Sequence, residues 1–189
     1  MSTPLSIDAS TGLVASARQV ASPNFDARPD GVVPDLIVVH GICLPPNEFG
    51  GPWIEALFLN RLPWEQHPYF KSIEGLIAST HLLIRRDGEL VQFVSFNQRA
   101  WHAGKSNYCD RERCNDFSIG IELEGADDIP YEAVQYDVLS ATINALCKAY
   151  PSLSRERVVG HGDIAPGRKT DPGPAFEWRK LKTLMGAQT

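Results

Sequence analysis

Leu36-Ile37-Val38-Val39 runs without a polar interruption up to His40. A short continuous run of β-branched and leucine side chains reads as a strand buried on both faces. It gives way to Leu44-Pro45-Pro46-Asn47-Glu48-Phe49-Gly50-Gly51, whose Pro, Gly and Asn content predicts a loop. Pro52 then suits the first turn of a short helix reaching Asn60. Segments 80–86 and 89–96 flank Asp87-Gly88, which predicts a hairpin closed by a two-residue turn with positive φ at both central positions.

Segment 117–124 alternates. Ile119, Ile121 and Leu123 fall on one face, and Ser118, Gly120, Glu122 and Glu124 on the other. The apolar face predicts packing against a helix, with the long one at 131–150 as the partner. The polar face is either solvated or the floor of a cleft, and Glu122 taken alone reads as solvated. Gly120 weakens a strand unless another group must approach its backbone closely. Segment 131–150 sets Val134, Val138, Leu139, Leu146 and Cys147 on one helical stripe and stops at Pro151. A last helix is expected over 176–185. Strands interleaved with helices predict an α/β class, a sheet covered by helices. With no repeat and no Pro/Gly/Ser linker, the chain reads as a single domain over 1–189 with its core at about 30–185.

Charge narrows the partners. Eighteen Lys plus Arg against 23 Asp plus Glu give a net charge of −5, which argues against nucleic acid or an anionic membrane as a partner. The apolar runs fall far short of the roughly 20 residues that span a bilayer. Met1-Ser2-Thr3-Pro4 opens without a basic region and apolar block, so no export signal is expected and the cytoplasm is the predicted compartment. Cys43, Cys109, Cys114 and Cys147 form no CxxC pair and are expected as reduced thiols.

The densest chemistry lies between Gly160 and Pro174, where Gly and Pro fix a long loop carrying His161, Asp163, Arg168, Lys169 and Asp171. His40 ends a buried strand, where an imidazole needs a hydrogen-bonding or metal partner to offset its desolvation. His40, His161 and Asp171 together would offer zinc two imidazoles and a carboxylate, leaving a fourth position for water as catalytic sites do. His67, His81 and His102 remain available as ligands on spacing alone. Such a site also needs a base, which Glu122 can supply, and a positive group for the oxyanion. Lys169 lies two residues before Asp171, on the same side of an extended segment. Trp53, Trp64 and Tyr69 read as packing residues of the loop-rich 45–70 segment rather than sugar platforms.

These blocks resemble the AmpD-type N-acetyl-anhydromuramyl-L-alanine amidases, zinc enzymes of the wider family that includes bacteriophage amidase lysozymes and peptidoglycan recognition proteins. The resemblance runs through His40 and the loop after it, His67-Pro68-Tyr69-Phe70, Ser79 to Gly88 and Arg99 to Gly104. It continues in Cys114 to Gly125 and in the loop from His161 to Pro174. It implies a central mixed β-sheet flanked by helices. It also implies hydrolysis of the amide between the lactyl group of anhydro-N-acetylmuramic acid and L-alanine, in cytoplasmic cell-wall recycling. By the same resemblance His40, His161 and Asp171 match the zinc ligands, Glu122 the acidic catalytic residue and Lys169 the cation at the transition state. Two positions depart from the common family pattern: Gly41, where Asn is usual, and Gly162, where Ser or Thr is usual.

A muropeptide offers a sugar, an amide and peptide carboxylates, so aromatic and guanidinium groups are expected around it. Trp101, His102, Arg113, Asn115 and Arg168 are the expected substrate-binding residues, Arg because its planar fork binds carboxylates bidentately. Two rival readings share much of this pattern. One is a zinc amidase acting on polymeric peptidoglycan outside the cytoplasm. The other is a non-catalytic peptidoglycan-binding module, which would leave the five central residues unexplained.

Overall fold

The computed structural model describes residues 5–186. Residues 1–4, where an export leader would begin, and 187–189 lie outside the described residues. Six strands form the central sheet: β1 (Arg18–Gln19), β2 (Leu36–Ile42), β3 (Leu82–Ile84), β4 (Leu90–Gln92), β5 (Ser118–Glu124) and β6 (Val158–Gly160). Their order is β6-β2-β5-β3-β4-β1. Only the β3–β4 pair is antiparallel, so the sheet is mixed. The helices are α1 (Trp53–Phe58), α2 (Pro68–Ser72), α3 (Ala133–Ala149), the single turn α4 (His161–Ile164) and α5 (Trp178–Leu184). Among the described residues no helix is long and apolar enough to cross a membrane.

Central strands need apolar side chains on both faces, and β2 supplies them: Leu36, Ile37, Val38 and Val39 are fully buried. Ile119, Ile121 and Leu123 of β5 share a core cluster with Leu139, Ile143 and Leu146 of α3, as their alternation predicts. The other face of β5 is buried as well, because the strand has a neighbour on each edge and loops lie over it. Glu122 is therefore only 8% exposed and is not a solvated strand residue.

Two local expectations differ from the structure. The β3–β4 hairpin turns through Arg86-Asp87-Gly88, with Arg85 N–H donating to Glu89 O at 2.9 Å and Gly88 N–H to Arg85 O at 2.9 Å. Only Gly88 takes positive φ (87°). Asp87 stays out of that region and uses its carboxylate to accept from Glu89 N–H, a three-residue loop in place of a two-residue one. In α3 the buried face centres on Tyr136, Leu139, Ile143 and Leu146, whereas Val134 is 38% exposed at the helix start.

Register then sets the site. Across the parallel β2–β5 pair His40 lies opposite Glu122, and across β6–β2 Gly160 lies opposite Val39. His161 follows Gly160 directly, so His161, His40 and Glu122 arrive side by side at the carboxyl ends of three adjacent parallel strands. That edge of an open α/β sheet is where ligands bind.

Candidate active site

His40 Nδ1 and His161 Nδ1 lie 3.0 Å apart. Asp171 Oδ2 is 3.1 Å from the His161 nitrogen and 3.3 Å from that of His40. The three residues offer ligand atoms that all fall within 4.8 Å of one another. His161 Nε2 lies 3.1 Å from the Ala103 carbonyl, which can only accept, and 3.4 Å from Arg168 Nη2, which can only donate; the shorter contact assigns the ring proton to Nε2. Its Nδ1 therefore presents a lone pair to a carboxylate oxygen, two acceptors face to face. That arrangement calls for a cation between them, so the donor set fits a divalent metal of the zinc class. Burial also pushes the His40 imidazole down to about 4, which keeps it neutral and able to ligate. Although burial works the other way at Asp171, its contacts with the two imidazoles hold that carboxyl well below the usual range.

The loop between Gly160 and Pro174 brings Asp171 into place by backbone bonds. Gly162 N–H donates to the Asp171 carbonyl at 3.0 Å. A β-carbon at Gly162 would sit 3.3 Å from Lys169 O, so glycine lets the loop close tightly at this departure from the family pattern. The Tyr131 hydroxyl donates to Pro172 O at 2.9 Å. The same hydroxyl fills the space a side chain would need at Gly41, which explains the other departure. Tyr131 is not conspicuous in the sequence as a site residue; its signal is the pair of glycines, Gly41 and Gly125, that make room for its ring.

Glu122 Oε1 is 4.0 Å from His40 Nδ1, and the buried Oε2 has no hydrogen-bond partner. Desolvation first, and the Asp171 charge second, lift the Glu122 carboxyl well above the usual carboxylate range, against a downward pull from Lys169. Lys169 is exposed and lines the same cleft.

The cleft measures about 600 Å³. Its lining includes the polar side chains of His40, Glu122, His161, Lys169 and Asp171 and the apolar ones of Leu57, Phe58, Ile73, Leu76 and Ile77. Trp101, His102 and Arg168 also line it, while Arg113 and Asn115 do not. Arg168 donates to Ala103 O at 2.6 Å and Lys105 O at 2.7 Å, tying two loops together at the cleft edge. Asn115 Oδ1 accepts from the backbone N–H of His102 (3.1 Å) and Ala103 (2.7 Å). Arg113 points to solvent and pairs with Asp116 at 3.3 Å. Trp53 packs on Phe70, but Tyr69 is 38% exposed and lines the cleft; its helix turns the ring outward.

The remaining histidines lie elsewhere. His67 Nδ1 accepts from Tyr69 N–H at the start of α2. His81 accepts from Gly120 N–H (3.0 Å) and contacts Gln98 O (3.1 Å). His102 Nδ1 is 2.9 Å from His40 Nε2, on the side of that ring away from Asp171.

A family model for N-acetylmuramoyl-L-alanine amidases matches residues 30–174. The chain is 55% identical over 178 residues to the 1,6-anhydro-N-acetylmuramyl-L-alanine amidase AmpD of Escherichia coli (strain K12), covering 94% of this chain and 97% of the relative. It is similar to a crystal structure of a selenomethionine AmpD derivative, with a TM-score of 0.91, 56% identity, and coverage of 94% of this chain and 98% of the other. It is also similar to AmpDh3 of Pseudomonas aeruginosa in complex with anhydromuramic pentapeptide. There the TM-score is 0.60, the identity 29%, and the coverage 82% of this chain and 60% of the other.

Proposed function

The chain belongs to the N-acetylmuramoyl-L-alanine amidase family, and within it we propose a zinc-dependent enzyme that hydrolyses the amide between the lactyl group of 1,6-anhydro-N-acetylmuramic acid and L-alanine. The observation that carries the zinc half is the convergence of His40, His161 and Asp171 beside Glu122. The substrate half rests on the similarity to curated amidases of that specificity along nearly the whole chain. The similarity to AmpD-type amidases supports the cytoplasm as the compartment in this reading.

Bound at the three ligands, zinc would polarise the scissile carbonyl and make a water nucleophilic near neutral pH. Glu122 receives the proton of the attacking water on its unpartnered Oε2. A carboxyl lifted by burial holds that proton long enough to return it to the departing alanine amine, so one residue serves as base and then as acid. Lys169 meets the negative charge that builds on the carbonyl oxygen in the transition state. Trp101 and Arg168 line the cleft where the rest of the muropeptide lies. His102 borders the cleft beside His40, whereas Asn115 and Arg113 lie outside its lining.

A defined anhydromuropeptide should yield the free anhydro sugar and a peptide with a new L-alanine N-terminus, read by mass spectrometry. Chelation should stop the reaction and zinc restore it. Chelator-insensitive cleavage would overturn the metal half, and faster cleavage of intact peptidoglycan the substrate half.

Lys169→Ala should lower kcat by roughly 10²–10³-fold, as removal of oxyanion donors does. KM should change little, because the ground state does not use this interaction. Lys169→Arg should rescue poorly, since a planar fork does not replace a compact ammonium at one oxygen. Full activity of the alanine variant with full zinc would end the assignment.

A further inference from the structure

Behind His40 a line of hydrogen bonds runs away from the cleft. His40 Nε2 meets His102 Nδ1 at 2.9 Å, with the two rings nearly perpendicular at 84°. His102 Nε2 meets Ser118 Oγ at 3.2 Å, and Ser118 Oγ meets the Cys114 carbonyl at 2.6 Å. The last atom decides every proton before it. A carbonyl oxygen only accepts, so the single hydroxyl proton of Ser118 goes to Cys114, and Ser118 Oγ is left as an acceptor for His102. His102 Nε2 then carries its ring's proton and Nδ1 is a lone pair. That lone pair accepts from His40 Nε2–H, which leaves His40 Nδ1 bare and aimed at Asp171 and His161.

The sequence makes room for this arrangement. Gly120 of β5 faces the His102 ring, and a β-carbon there would sit 2.5 Å from His102 Cγ. The Asn115 carboxamide holds the backbone at His102 and Ala103 by two bonds. On the other side, Ala103 O fixes the proton of His161 in the same way that His102 fixes that of His40. Both rings turn Nδ1 toward Asp171.

We propose that His102 is a positioning residue which, with Ser118 behind it, holds His40 in the one tautomer and orientation that can bind the metal. The proposal rests on the metal reading of His40, His161 and Asp171 and assigns to His102 a role apart from ligation and from substrate contact. Groups that orient a ligating imidazole by taking its second N–H are worth about 10–100-fold in metal affinity.

The test is zinc affinity, measured by competition with a chromophoric chelator in the full chain. His102→Leu should weaken zinc binding by about 10–100-fold. His102→Asn, whose Oδ1 occupies the place of Nδ1 and can accept from His40, should recover most of that loss. Ser118→Ala keeps the imidazole and removes only its acceptor; it should weaken binding by a smaller factor, and it carries the test should the leucine variant fail to fold. Wild-type affinity in His102→Leu, or in Ser118→Ala, overturns the proposal, as does an asparagine variant no better than leucine. A wild-type chain that binds no zinc would instead defeat the metal reading itself, so the two failures are distinct.

Discussion

Glu122→Gln should bind zinc as the wild type does and hydrolyse its substrate roughly 10²–10⁴-fold more slowly, the usual weight of general acid–base catalysis. The substitution is close to isosteric, and Oε2 has no hydrogen-bond partner to lose. The register that sets Glu122 opposite His40 is a backbone property and survives it. What disappears is a group able to take a proton from water and give it to the alanine nitrogen. Zinc content and kcat measured on the same preparation separate the outcomes. Zinc lost along with activity would make Glu122 an orienter or ligand of the metal. Wild-type turnover with full zinc would remove it from the chemistry.

The parts of this site that were legible in the sequence are those whose meaning is local. A histidine closing an unbroken apolar run is conspicuous, and so is a loop dense in Gly and Pro that carries His161, Lys169 and Asp171. Glu122 was readable as a strand residue on a polar face, but not as a buried one. Alternation says which residues share a face, whereas burial of that face depends on what the fold lays over it, here the loop bearing His102. Gly120 carried a usable signal, a strand position without a side chain, and the structure shows that the His102 ring fills the place. The role of His102 was out of reach, because it depends on Ser118 and on a carbonyl at Cys114 that only the fold sets in line. Arg113 and Arg168 looked alike as guanidiniums beside site segments. One faces solvent and the other edges the cleft, a difference made by loop path rather than residue type. Val134 fits the apolar stripe of α3 in the sequence yet lies at the rim, because short apolar residues at a helix start suit either the core or the rim. Tyr136, large and fully buried, shows where the core lies.

Asp171→Ala should abolish stoichiometric zinc binding and hydrolysis together. The carboxylate is the only anionic ligand of the three, and without it two imidazole nitrogens 3.0 Å apart must share a cation with no charge to balance it. The loop itself should stay closed, since it is held by Gly162 N–H on the backbone carbonyl of residue 171 and by Tyr131 on Pro172 O. The loss is therefore readable apart from folding. Zinc at about 1,000 times its Kd adds about 4.1 kcal/mol to a protein that binds it only when folded. For a chain of this size that is a rise in Tm of about 8–16 °C. The wild type should show this rise on adding zinc, and Asp171→Ala should melt at the same temperature with or without the metal. Asp171→Asn tests the charge alone: it keeps the shape of the ligand but not the anion, and its zinc-induced rise should be small. If Asp171→Ala retained one zinc per chain with wild-type turnover, the ligand set would have to be drawn from other residues.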